Sequence, residues 1–249
     1  MADNKIRPQT GFKKKNPETL INVTIDDINK YMDLLYEDDY EKKINGCRNI
    51  LYLSMDPENM IALCNVESLL DLLSRTLKEE YKKNMEISIY LLAFFYSYCC
   101  YEEFHEHLAS YGIGETCIKI IEYQIAKYII RKQELEKKYD QLKFTNPGMY
   151  EKELNKFLFM VRKQDRILRI GISILTNLAE NQKIEKKIVK RDIVSLLIKN
   201  LDRPPNINLI AVILLFLKKL SVYDCNKDAM IKLDISGEFN KYYTLIKCI

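Results

Sequence analysis

Tryptophan is absent from this 249-residue chain, glycine (7) and proline (6) are scarce, and there are only two histidines. So few breakers among abundant Leu, Ile, Lys, Glu and Tyr favour long helices joined by short turns. No Cys-x-x-Cys occurs among the seven cysteines, and their odd number and irregular spacing outline neither a disulfide framework nor a zinc site. Long apolar runs are missing too. Ile87–Cys100 and Ile207–Leu217 cover 14 and 11 residues, short of the roughly 20 that a spanning helix needs. They predict helices buried in a protein core, with no membrane insertion. A signal-peptide pattern is lacking as well, because Met1 to Pro17 is polar and basic, with Lys13, Lys14 and Lys15 in a row. With unpaired cysteines this predicts a reducing, cytoplasmic setting, where the sequon Asn22-Val23-Thr24 would have no role. A formal charge of +4, with 30% charged residues of both signs, is too modest and mixed to announce nucleic-acid binding.

What the chain does contain is an internal period. Four reference residues, Val66, Ile113, Ile193 and Ile235, align their surroundings. Nineteen positions upstream lie Cys47, Phe94, Ile174 and Phe216, and fifteen upstream lie Leu51, Tyr98, Leu178 and Leu220. Five upstream lie Ile61, Leu108, Ile188 and Met230, and four downstream Leu70, Cys117, Leu197 and Phe239. All are apolar or aromatic. The reference residues are 47, 80 and 42 residues apart. A period in the low forties belongs to two- or three-helix solenoid repeats, so the third spacing holds one repeat plus an insertion. Each unit is expected to have a short helix, a middle helix after the reference residue, and a long third helix. Asp56-Pro57 reads as an N-cap with proline at the first helical position, and Pro204-Pro205 as a break before a helix that begins near Asn206.

The insertion is readable. Ile121, Ile125, Tyr128, Lys132, Leu135, Tyr139 and Leu142 alternate steps of four and three. After the turn signal Thr145-Asn146-Pro147-Gly148, the pattern resumes through Tyr150, Leu154, Phe157, Val161, Gln164 and Leu168. This predicts an antiparallel helical hairpin over about residues 122–168. Its basic surface runs from Arg131 to Lys163, Arg166 and Arg169, and the plain reading of that surface is a solvated exterior. Upstream, Ile25, Ile28, Met32 and Leu35 mark a further amphipathic helix with an acidic face. Residues 1–20 are expected to be a disordered basic segment, leaving 21–249 as the solenoid.

Chemistry is hard to find. His105 and His107 are two apart on a predicted helix and face different directions. Gly112-Ile113-Gly114 lacks the third glycine of a dinucleotide loop, where Cys117 stands, and reads instead as a helix stop. Cys99-Cys100 could be a redox pair, but burial at the end of a core helix is the stronger expectation. No enzyme, cofactor or metal site is predicted. A binding surface is easier to place, since third helices line the concave face of such a superhelix. Beside the apolar stripe run Gly46, Ile50 and Ser54, then Ala93, Ser97 and Tyr101, then Ser173, Asn177 and Asn181, and last Leu215, Lys219 and Tyr223. Ser97, Tyr101, Asn177, Asn181, Lys219 and Tyr223 are the partner-binding candidates.

Thr176-Asn177-Leu178-Ala179-Glu180-Asn181, followed by Lys187-Ile188-Val189 and Asp192-Ile193-Val194, resembles an armadillo repeat. Asn200-Leu201-Asp202-Arg203, Phe216 to Val222, Asn226 to Met230 and Asp234-Ile235 resemble the kinesin-associated protein family. Phe104-His105, Tyr111 to Gly114 and the hairpin ending in Val161-Arg162-Lys163-Gln164 are similar too, so the resemblance covers roughly residues 40–240. It implies an all-α, armadillo-like solenoid and a non-motor accessory subunit of heterotrimeric kinesin. Such a subunit binds the tails of two motor chains, links them to cargo proteins, and works on the cytoskeleton, including the cilium or flagellum. Members of that family are normally several times longer, and here the last unit stops near Ile249 before its third helix could form. Other readings compete with it. A nuclear-import receptor needs a ladder of Trp and Asn, but Trp is absent and the positions equivalent to Asn177 hold Ile50, Ser97 and Lys219. A helical RNA-binding protein would use the basic hairpin, against which its six interspersed acids argue. A general armadillo or HEAT scaffold unrelated to kinesin is a further alternative, and a cryptic enzyme is the most distant.

Overall fold

The computed structural model describes residues 23–232 apart from 143–144, 202, 205 and 223. Ile235, Phe239 and the segment 1–20 therefore lie outside the described residues. The described residues form helices and no strands. A 3-10 turn, Ile25–Asp27, leads into α1 (Ile28–Asp33), and another, Glu102–Phe104, stands later in the chain. The third helix α2 (Tyr40–Leu53) follows, then a unit of α3 (Pro57–Cys64), α4 (Leu69–Glu80) and α5 (Met85–Cys99), and the next unit begins with α6 (His105–Ser110). Two long helices come next, α7 (Ile113–Leu142) and α8 (Pro147–Leu178). The rest comprises α9 (Gln182–Val189), α10 (Ile193–Lys199), α11 (Ile207–Leu220) and α12 (Asp224–Lys232). The third helices α2, α5, α8 and α11 pack side by side in that order, and α4, α7 and α10 make a second row. This is an armadillo-like, all-α helical repeat.

Two kinds of helix start sustain the pattern. Each third helix opens on an Asp or Asn whose side chain accepts backbone N–H bonds: Asp39 for α2, Asn84 for α5, Asn146 for α8 and Asn206 for α11. Such a cap satisfies donors that would otherwise be orphaned and is worth about 1 kcal/mol. Each middle helix opens instead on one residue in the left-handed region: Ser68 (φ 63°), Gly112 (φ 72°) and Asp192 (φ 51°). These residues are 44 and 80 positions apart. They define the repeat register by backbone geometry and correct the sequence alignment in the first unit, where Leu69 rather than Val66 is the reference. Longer chain between α3 and α4 accounts for the offset. Ile61, expected in the core, is accordingly 71% exposed, and Met60 and Leu63 are buried in its place.

Elsewhere the apolar stripe packs as the period predicts. Cys47, Phe94, Ile174 and Phe216 are buried, as are Leu51, Tyr98, Leu178 and Leu220. Phe94 stands edge-on to Phe95 at 5.5 Å and tilted to Tyr98 at 4.7 Å, an aromatic cluster on α5. Full burial of each such side chain contributes about 1.5–3 kcal/mol. Burial also pushes the Cys47 and Cys117 thiols up to about 12, so both behave as small hydrophobes. At the other end of the row, α1 sits directly on α2 at Gly46. A Cβ there would come within 2.6 Å of Leu35 Cδ1 and 2.7 Å of the Tyr31 carbonyl oxygen. Only glycine permits that approach.

Helices α7 and α8 run antiparallel, because later residues of one meet earlier residues of the other. Gln164 Nε2 donates to the Gln124 carbonyl at 3.2 Å, Tyr128 meets Phe157 at 5.8 Å and Tyr139 meets Tyr150 at 5.0 Å. Between Tyr128 and Val161 no described residue is buried. The arms therefore leave the body there and project about 20 Å at 1.5 Å per residue. Lys138 bridges to Glu153 across the hairpin, and Lys156 pairs with the same carboxylate at 2.8 Å. Together they hold the Glu153 carboxyl down to about 2.

The root of the hairpin is polar and closed. Arg203, only 5% exposed, donates through Nη2 to Asp165 Oδ1 at 3.0 Å and to Gln164 Oε1 at 3.2 Å. Its guanidinium lies 4.3 Å from the centre of the Tyr128 ring. Asn206 Nδ2 donates to Asp165 Oδ2 at 3.1 Å while its Oδ1 caps α11. Burial lowers the Arg203 pKa, but an arginine stays protonated, so Asp165 keeps a cationic partner. Arg203 thus ties the chain between α10 and α11 to the point where α7 and α8 leave the core.

Candidate functional site

The exposed face of the third-helix row carries a cavity of about 600 Å³ that spans α2, α5, α8 and α11. Residues 166, 169, 170 and 173 share one face of α8 by helical spacing, and Arg166, Arg169, Ile170 and Ser173 all line the cavity. Helix α5 and its end supply Tyr96, Ser97, Cys100 and Tyr101, and α11 supplies Asn208, Ala211 and Val212. Among the described residues, Arg166 and Arg169 are the only charged ones in the lining. Glu86 on α5 is the carboxylate felt by Arg166, and it is shared with Arg48, whose Nη2 is 4.0 Å from it. Burial lowers the Arg166 pKa, and the neighbouring Arg169 charge lowers it further. The sequence pattern assigned both arginines to the outer surface of the hairpin; the structure places them in the wall of this cavity.

The partner-binding candidates fall into three groups. Ser97 and Tyr101 line the cavity. Ser97 Oγ donates to Ser54 Oγ at 3.1 Å, joining α5 to α2, and Tyr101 is 38% exposed with its ring edge-on to Phe104. Asn177, Asn181 and Lys219 are engaged in holding the fold. Asn177 Nδ2 donates to Cys99 Sγ at 3.5 Å and to Cys100 Sγ at 3.8 Å, joining α8 to α5. The Asn181 side chain caps α9 by accepting from the Lys183 N–H at 3.0 Å. Lys219 Nζ is 3.1 Å from Glu180 Oε1, joining α11 to the end of α8. Tyr223 lies outside the described residues. On α2 Gly46 and Ile50 are buried, and Ser54, also buried, reaches the cavity lining.

Cys99 and Cys100 part company. Cys99 is buried, and burial pushes its thiol well up. Cys100 is exposed at the cavity edge. Hydrogen bonding by the Cys99 thiol, with help from Tyr96 and Asn177, brings it down to about 7. The expectation of burial therefore holds for one cysteine of the pair only. The histidines also separate: His105 is buried with Nε2 2.8 Å from the Cys99 carbonyl oxygen, and His107 is exposed against the Tyr111 ring. Among the described residues no group of three or more His, Cys, Asp or Glu could hold a metal ion, and no helix is long and apolar enough to cross a membrane.

Tyr96, Arg166 and Arg169 are among the lining residues that the stripe did not single out. Their signal was available but ambiguous, because the heptad stripe of the hairpin runs into α8 without marking where the arm ends. A row of third helices with a cavity across it is the surface of a helical-repeat protein. Residues 4–248 match the family described as kinesin-associated protein (KAP), and the chain belongs to that family.

Proposed function

We propose that this chain is a non-catalytic adaptor that binds the tails of two kinesin motor chains and links them to cargo proteins. The setting of this reading is microtubule-based transport on the cytoskeleton of the cytoplasm, including the cilium or flagellum. Family membership over nearly the whole chain is the observation that carries it. The solenoid supports it by offering a continuous helical face with a cavity and rigid packing beneath it. On this reading residues 21–249 act as one solenoid, with the hairpin over about 122–168 as an appendage. Ser97 and Tyr101 are the candidates that face a partner, and Asn177, Asn181 and Lys219 hold the helices that present them.

The test is direct. The purified, demonstrably helical chain should capture recombinant tail or stalk-end segments of kinesin motor chains with roughly micromolar affinity or tighter. No capture of either motor tail would remove the motor-binding reading.

A further inference from the structure

The end of α5 carries two adjacent sulfurs that have no part in the adaptor function. Residues 99 and 100 stand three and four positions after Tyr96, so both side chains return to the turn that holds its carbonyl. Cys99 Sγ and Cys100 Sγ each lie within hydrogen-bond distance of that carbonyl oxygen, at 3.2 Å. From the other side, Asn177 Nδ2 on α8 reaches Cys99 Sγ at 3.5 Å and Cys100 Sγ at 3.8 Å. One oxygen and one nitrogen therefore bracket both sulfurs, and the two thiols are in hydrogen-bond reach of each other. Their access differs. Cys100 is exposed and lines the cavity of about 600 Å³, whereas Cys99 is only 1% exposed. No other two cysteines adjoin in the sequence. Cys47 and Cys117 are buried with their thiols pushed up to about 12, and Cys64 is half-buried.

We propose that Cys99 and Cys100 form a dithiol site, open to the cavity, for a thiophilic acceptor that bonds two sulfurs at once, with a trivalent arsenical as its type. Cys100 binds first, because it faces the cavity and its thiol, brought down to about 7, supplies thiolate near neutral pH. The acceptor is then held beside Cys99, whose sulfur closes the ring. That second bond forms within one molecule, so the pair holds the acceptor far more tightly than a single thiol does. Arsenic stays trivalent throughout. Over the two steps, two thiols and the two hydroxyls of the hydrated arsenical give two As–S bonds and two waters. Cys99 does not have to ionise beforehand, which suits a thiol that burial pushes well up. Tyr101 and Ile170, in the lining of the same cavity, offer apolar surface to the organic group of the acceptor.

The probe is phenylarsine oxide, added in equimolar amount to the reduced full chain. Intact mass should show a phenylarsenic group bound without hydroxyl, the sign of two sulfurs, and peptide mapping should place it across Cys99 and Cys100. The adduct should survive an excess of 2-mercaptoethanol and be removed by the dithiol 2,3-dimercaptopropanol. Cys100→Ser and Cys99→Ala should each retain about tenfold less arsenical, or lower still, against the monothiol. Helical circular dichroism should be unchanged in both, the first being a change at an exposed side chain. Cys64→Ser should retain the arsenical as the wild type does. Both pair variants keep Cys225 and Cys248, which lie outside the described residues, so any share taken by those cysteines is measured directly. An adduct mapped to other cysteines overturns the proposal. So does retention by Cys100→Ser or Cys99→Ala equal to that of the wild type, or full release from the wild type by the monothiol.

Discussion

The solenoid body and the projecting hairpin are made from the same long helices, yet they are held together by different physics. Around α5 the helices meet through dry, fully buried rings and aliphatics such as Phe94, Phe95 and Tyr98. Beyond Tyr128 and Val161 the same α7 and α8 meet through half-exposed rings and the ion pairs at Glu153. Burial of apolar area contributes kilocalories per residue, whereas an exposed pair contributes little. Stability should therefore be concentrated in the body, with the hairpin as a dependent outgrowth of it. The ion pair between Arg203 and Asp165 sits at the junction and belongs energetically with the body, because both partners are out of water.

Three measurements would break or sharpen that contrast. The largest effect is expected from Phe94→Ala, which opens a cavity between α5 and its neighbours. It should cost about 3–5 kcal/mol in urea unfolding, and a cost under about 1 kcal/mol would show that the body is not dry there. Next comes Arg203→Met, which leaves the Asp165 carboxylate buried with Asn206 as its remaining donor. A loss near the low end of the range for a broken buried pair, about 3 kcal/mol, is expected. The companion Arg203→Met/Asp165→Leu should recover most of that loss, and failure to recover would mean that the pair serves packing rather than charge. Smallest is excision of residues 132–156 with a short turn in their place, which keeps Tyr128 and Phe157. It should leave a cooperative transition within about 1 kcal/mol of the wild type. A broadened or split transition would show that the arms stabilise the units they spring from.

How much of this could be read from the sequence depends on the range of the interaction. Local signals survived well: Asp56-Pro57 is a cap followed by proline, and Asn206 opens α11. The third-helix stripe was legible because it repeats, and Phe94, Ile174 and Phe216 occupy the same layer. The register of the first unit was not. The true marker is one left-handed residue per unit, and Ser68, Gly112 and Asp192 share no side-chain chemistry that an apolar pattern could detect. Long-range polar pairings were equally hidden. Arg203 and Asp165 are 38 residues apart, and nothing in either local pattern announces the other. For the candidate site, helical spacing chose a face but could not tell a side chain aimed outward from one committed to a neighbour. Ser97 and Asn177 look alike in the stripe; one lines the cavity and the other reaches across to Cys99 and Cys100.

The unbroken course of α8 has a mechanical consequence. One rod of 32 residues begins at the hairpin turn, leaves the arm near Val161 and runs on past Arg166 and Arg169 to Leu178. Arg203 and Asn206 clamp it near Asp165, just before the cavity. A pull on the tip is then a torque about that clamp, with an arm of about 20 Å on one side and the cavity wall on the other. Strain on the hairpin would then be felt in the cavity wall.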